Sequence, residues 1–127
     1  MIKSAIIQLY PRTEHLPGAE DCELDTFLAQ YRRDTTALIW VGVVLGALVY
    51  QLSPLFTIGV PVPAAALSAA QADRHAHAIS GSTVYLVRQT VFLLKLVAGL
   101  AWGQHPGVRA HFALPPLDRD PGDWRLS

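Results

Sequence analysis

Among the 127 residues of this chain, those best equipped for chemistry are five histidines and one cysteine. His75 and His77 stand two apart, with His105 and His111 farther on. On a helix, positions two apart point about 200° away from each other, so this pair cannot aim at one metal ion. No carboxylate or cysteine joins at ligand spacing, which leaves surface histidines on a short polar helix. Ser80, Gly81 and Ser82 lack a nucleophile-elbow pattern and read as a helix stop followed by a helix start. Gly42 and Gly46 do not cradle a phosphate, because no lysine follows and both fall in a helical pattern. Cys22 lies among Glu20, Asp21 and Glu23, which disfavour its thiolate. A single cysteine also excludes an internal disulfide and a Cys-cluster zinc site. The expectation is a chain with no catalytic residue and with no flavin, haem or metal of its own.

Ten basic and ten acidic side chains cancel, so no basic field points to a nucleic-acid partner. Charged residues make up only 16% of the chain, and the deficit is local. Between Asp34 and Asp73 run 38 residues without one Asp, Glu, Lys or Arg, which excludes a disordered, highly solvated chain. The length suits one domain.

The elements that would carry these residues are helical. Residues 1–20 read as an extended arm punctuated by Pro11 and Pro17, residues 21–103 as a helical bundle, and residues 104–127 as a proline-rich tail that wraps a surface. Asp21 is placed to cap a helix whose Leu24, Phe27, Leu28 and Tyr31 share one face. From Ala37 to Tyr50 the chain is apolar all round, until Pro54 ends or kinks the helix. Residues 54–67 read as an irregular apolar connection. Ser68 and Gln71 form a capping box for a short helix over 69–79, and a third main helix runs over 83–102, stopped by Gly103 and Pro106. The fold class is all-α, a small bundle of about three main helices.

A helix apolar on every side is either a buried core helix or a membrane span. Extending the run back to Thr35 and on to Leu52 reaches 18 residues, the lower edge of the spanning range, and Arg32 and Arg33 would hold its start on the cytoplasmic side. The third helix is the weaker span, because Arg88 and Lys95 interrupt it. Arg88, Lys95 and Trp102 are spaced by sevens and form one stripe, read as the water-facing side. Gly42 with Gly46, and Gly99 with Gly103, are each four apart, the spacing at which helix backbones approach closely; the expected seam joins the first pair to the second. Three helices of this size cannot enclose an all-apolar one, so lipid or a partner subunit is expected to cover it.

Two stretches carry a resemblance. TEHLPGAEDCELDTFLAQ, residues 13–30, resembles the opening of the small (third) subunit of gluconate 2-dehydrogenase and its relatives. There an acidic residue, a Pro-Gly-Ala turn and an amphipathic helix follow in that order. LSAAQADRHAHAISGSTVYLVRQTVFLLKLVAGLAWGQHPGVRAHFAL, residues 67–114, resembles the closing half, a short helix, a small polar turn, an apolar helix ending in an aromatic and a proline-containing turn. The resemblance implies a helical accessory subunit that supplies no catalytic residue. It implies a partner, a large flavoprotein of the glucose–methanol–choline oxidoreductase family that holds FAD and oxidises an alcohol or sugar hydroxyl.

Arg88, Lys95, Trp102, Phe112 and Trp124 are the candidate partner contacts, the last two on a tail whose prolines 115, 116 and 121 pre-extend it for laying along another surface. Many relatives begin with a twin-arginine export signal, whereas Met1 here precedes one lysine and a short apolar stretch. The expected location is cytoplasmic or at the cytoplasmic membrane.

Overall fold

The computed structural model describes residues 1–118. These form seven α-helices and two short 3₁₀ turns and, among the described residues, no strand, so the chain is all-α. In chain order the helices are α1 (Ile2–Leu9), α2 (Leu24–Asp34), α3 (Ala37–Leu52), α4 (Pro54–Ile58), α5 (Ala69–Ser80), α6 (Tyr85–Gly103) and α7 (Pro106–His111).

The first twenty residues are not an extended arm. Ile2, Ala5, Ile6 and Leu9 recur at helical spacing, and α1 buries Ala5 and Ile6 completely. Prolines enter only at Pro11, after the helix has closed. Asp21 caps nothing in α2, which begins at Leu24 without a side-chain cap. Its carboxylate instead accepts from the backbone N–H of Gly18 at 2.9 Å and from Arg12 Nε at 3.1 Å, closing the loop that precedes α2.

Thr36 caps α3 by accepting from the N–H of Ile39. Pro54 occupies the first turn of α4, where its missing N–H costs nothing, so the connection expected to be irregular holds a short helix. Ser68 and Gln71 form the capping box of α5 as read from the sequence. Within the expected tail, residues 106–111 are the helix α7, and Phe112 follows it directly.

The core lies between α1, α3, α5 and α6, where Ile6, Val43, Tyr50, Ile79, Val91, Leu94 and Val97 are fully or almost fully buried. Helix α2 contributes Leu24 to this core and packs Phe27, Leu28 and Tyr31 against its edge. Helices α3 and α6 make the most extensive pairing in the fold.

Candidate functional site

The pairing of α3 with α6 depends on two glycines, but not on the seam the spacing suggests. A methyl group at Gly46 would overlap the backbone carbonyl of Thr90, and one at Gly42 would lie 2.7 Å from Leu93 Cδ2. Both contacts fall in the middle of α6. Gly99 instead faces the hydroxyl of Tyr10 at 3.0 Å, and nothing lies within 4 Å of a methyl at Gly103. The register Gly42–Leu93 and Gly46–Thr90 makes the helices antiparallel. The sequence could offer each glycine pair but not the partner of either, because register depends on three-dimensional packing.

With Gly46, Val43, Ala47 and Tyr50 turned inward, the opposite side of α3 is left outside. Leu38, Val41, Leu45, Leu48 and Leu52 alternate by three and four along it and are exposed. On α6, Phe92, Leu96 and Leu100 are about half exposed. Leu93 reaches across to Gly42, so the two stripes flank a single seam. Exposure is also high where α3 finishes and α6 begins, with Leu52 69% exposed, Phe56 85% and Leu86 72%, as it is for Leu38 at the other end of α3. Large apolar groups gathered in this way mark a surface suited to a partner or to lipid.

The stripe of Arg88, Lys95 and Trp102 is not a uniform water-facing side. Arg88 is exposed, donates to the Ser82 carbonyl at 3.1 Å and lies 5.8 Å from the centre of the Tyr85 ring. Lys95 is half-buried and reaches Ser80 Oγ at 3.4 Å. Trp102 donates its indole N–H to the Pro17 carbonyl at 2.8 Å and packs on the Tyr10 ring at 5.3 Å. Phe112 meets Trp102 edge-on at 6.3 Å while staying half exposed. These contacts tie the stripe to its own chain. Trp124 lies outside the described residues.

A polar cluster runs through the inner side of α3. Gln51 donates to Ser4 Oγ at 3.0 Å and accepts from the Ala65 N–H at 2.9 Å, joining α1 to the turn before α5. His75 is wholly buried, not on the surface. Its Nε2 lies 2.8 Å from the Tyr50 carbonyl, which can only accept, so Nε2 carries the proton. Nδ1 then accepts from the Thr57 hydroxyl at 2.6 Å. Burial pushes His75 below the ordinary imidazole range, against the opposing pull of the Tyr50 carbonyl. Burial likewise pushes the Tyr50 hydroxyl up to about 12, with Asp73 adding to it. The cluster holds α3, α4 and α5 together. Ala72, His75 and Ile79 share one face of α5, so helical periodicity alone would have placed His75 inside. His77 points outward, as the angle between positions two apart requires.

At the other end of α6, a cleft of about 830 Å³ opens between α2 and α7. Phe27, Tyr31 and Leu100 give it apolar walls, and Asp21, Glu23 and Asp118 supply carboxylates. Arg12 holds the Asp21 carboxylate below its usual range, with help from the Gly18 N–H. Cys22, also in the cleft, has its thiol pushed up by burial and by Asp21, which leaves less of it as the reactive thiolate. Among the described residues, no group of three or more His, Cys, Asp or Glu side chains converges as a metal site would need. Compared with family models, with curated proteins and with solved structures, the chain matches none.

Proposed function

We propose that this chain is a non-catalytic accessory subunit of a large FAD-dependent alcohol or sugar oxidoreductase, a flavoprotein that it binds and stabilises. Support comes from the resemblance of residues 13–30 and 67–114 to the small subunits of such enzymes. The observation that carries the reading is the apolar face along α3 and α6, with Leu38, Val41 and Leu45 on one helix and Phe92, Leu96 and Leu100 on the other. A face of this kind gains free energy only when covered, at roughly 25 cal/mol for each Å² of apolar surface removed from water. In this reading FAD and the reacting groups belong to the flavoprotein, and the present chain contributes contact area.

The test is co-expression with a flavoprotein encoded beside this chain. The expected result is a stoichiometric complex that high salt, without detergent, releases from the membrane fraction. Leu45→Glu with Leu96→Glu should abolish the complex while leaving the helical circular dichroism intact. A chain that purifies alone as a soluble monomer and ignores the flavoprotein, or one that binds FAD by itself, would overturn the reading.

A second reading is a small integral membrane protein acting as an anchor. Of the described helices, α6 and not α3 is long and apolar enough to cross a membrane. Helix α3 has 16 residues, about 24 Å at 1.5 Å each, against a hydrocarbon core of about 30 Å. The span proposed over Thr35 to Leu52 is therefore short, and Gln51 and Tyr50 within it face protein. Membrane contact by one end of the helix pair fits these lengths better.

A further inference from the structure

We propose that the tip formed by the end of α3, by α4 and by the start of α6 inserts shallowly into an anionic lipid bilayer, with Arg88 and Lys95 reaching its headgroup phosphates. This contact lies beyond the flavoprotein face and uses different residues.

Position separates the two surfaces. The flank runs along the length of α3 and α6, with Leu45, Leu96 and Leu100 just under half exposed, whereas Leu52, Phe56, Val84, Tyr85 and Leu86 are all well exposed together at the blunt end where α3 finishes and α6 begins. A protein partner is met by a broad, half-covered face, whereas side chains projecting from a blunt helical end suit a fluid that closes around each one. Leu52, Leu55 and Phe56 also come from the stretch without a single Asp, Glu, Lys or Arg between Asp34 and Asp73, so little charge is desolvated on entry.

Charge sets the orientation. Arg88 donates to the Ser82 carbonyl, and Lys95 extends toward Ser80, so both cations gather at the turn between α5 and α6 on the flank of the tip. Tyr85, against which Arg88 lies, is an amphipathic ring of the kind found at headgroup level. The carboxylates of the acid-rimmed cleft stand beside Leu100 and Gln104, about 18–24 Å up α6 from Arg88 and about 8–14 Å from Lys95 at 1.5 Å per residue. From Arg88 that exceeds the screening length of about 8–10 Å in physiological salt, so the cleft's carboxylates scarcely oppose its attraction to an anionic surface, and Asp73, close enough to act on Tyr50, is the nearer acid. The inner side of α6, with Leu94, Val97 and Ala98 buried against the chain, is unavailable to lipid. Insertion is therefore limited to roughly the 5–10 Å of an interfacial segment.

The test is flotation of the full-length chain with phosphatidylcholine vesicles, with and without phosphatidylglycerol. The chain should float with the anionic vesicles and less so as salt is raised. Phe56→Glu with Leu86→Glu should lower the bound fraction about tenfold or more, and the uncharged Phe56→Ala about threefold. Arg88→Gln with Lys95→Gln should bind anionic vesicles no better than neutral ones. The proposal is overturned if the unaltered chain stays at the bottom of the gradient, if both tip variants float as it does, or if tip substitutions abolish flavoprotein capture while flotation persists. Flotation without flavoprotein capture would leave this proposal standing and sink the subunit reading, so the two fail separately.

Discussion

On its inner side α3 meets the chain through Gly46, Tyr50 and Gln51, while on its outer side Leu38, Val41, Leu45 and Leu52 stand exposed. The usual arrangement, apolar inside and polar outside, is partly inverted. Inside, a glutamine and a histidine use their hydrogen bonds to fix which helix lies where: Gln51 reads α1 and the turn before α5, and His75 reads α3 and α4. Outside, leucines that specify no geometry await a cover. Directional contacts thus set the architecture, and non-directional ones are left for association.

The largest way to break this comparison is Gly46→Leu. The backbone carbonyl of Thr90 cannot swing aside as a side chain can, so the substitution should cost about 3 kcal/mol, the upper part of the range for overpacking. A thermal melt that does not move would show that the helices are not in this register. Next comes His75→Ala, which leaves a cavity and the Tyr50 carbonyl without its donor, at about 2 kcal/mol by chemical denaturation. The same substitution sharpens the inner side through pH. Because folding lowers the affinity of His75 for protons, the unfolded chain binds more of them as pH falls through its value of about 6.5. The stabilisation present above that pH should be lost toward the lower folded value, and the variant should show a shallower loss of stability between neutral and acid pH.

Gly42→Ala is a milder probe of the seam, since Leu93 is flexible and can yield; about 1 kcal/mol or less is expected from a melt. Leu45→Gln should change the stability of the isolated chain by no more than about 0.5 kcal/mol, as exposed positions do, yet weaken capture of the proposed flavoprotein partner in a pull-down. The smallest effect belongs to Gly103→Ala. Its methyl meets nothing, and the better helix former should raise the melting temperature slightly.

Local rules were enough for much of the fold. The capping box at Ser68 and Gln71, the apolar run of α3 and the stop at Gly103 are readable because each depends on neighbours within four residues. Helix α1 and the inward turn of His75 are equally local, and the spacings Ile2, Ala5, Ile6 and Ala72, His75, Ile79 carry them. The prolines after residue 10 and the polarity of histidine hide both signals. The pairing of Gly46 with Thr90, of Gln51 with Ser4 and of Trp102 with Pro17 is of another kind. Each joins segments whose relative placement follows from the whole packing, and no short window contains both halves.

The hydrogen bond from Trp102 to the Pro17 carbonyl joins residues 85 positions apart. At synthesis rates of roughly 5–20 residues per second, about 4–17 s separate the emergence of the two. For that interval the loop after α1 lacks its clasp, and α1 lacks most of α6, one of the three helices against which it packs. While α6 is being made, α1 therefore has only α3 and α5 to cover it, which makes that interval the one in which a chaperone would find Ala5 and Ile6.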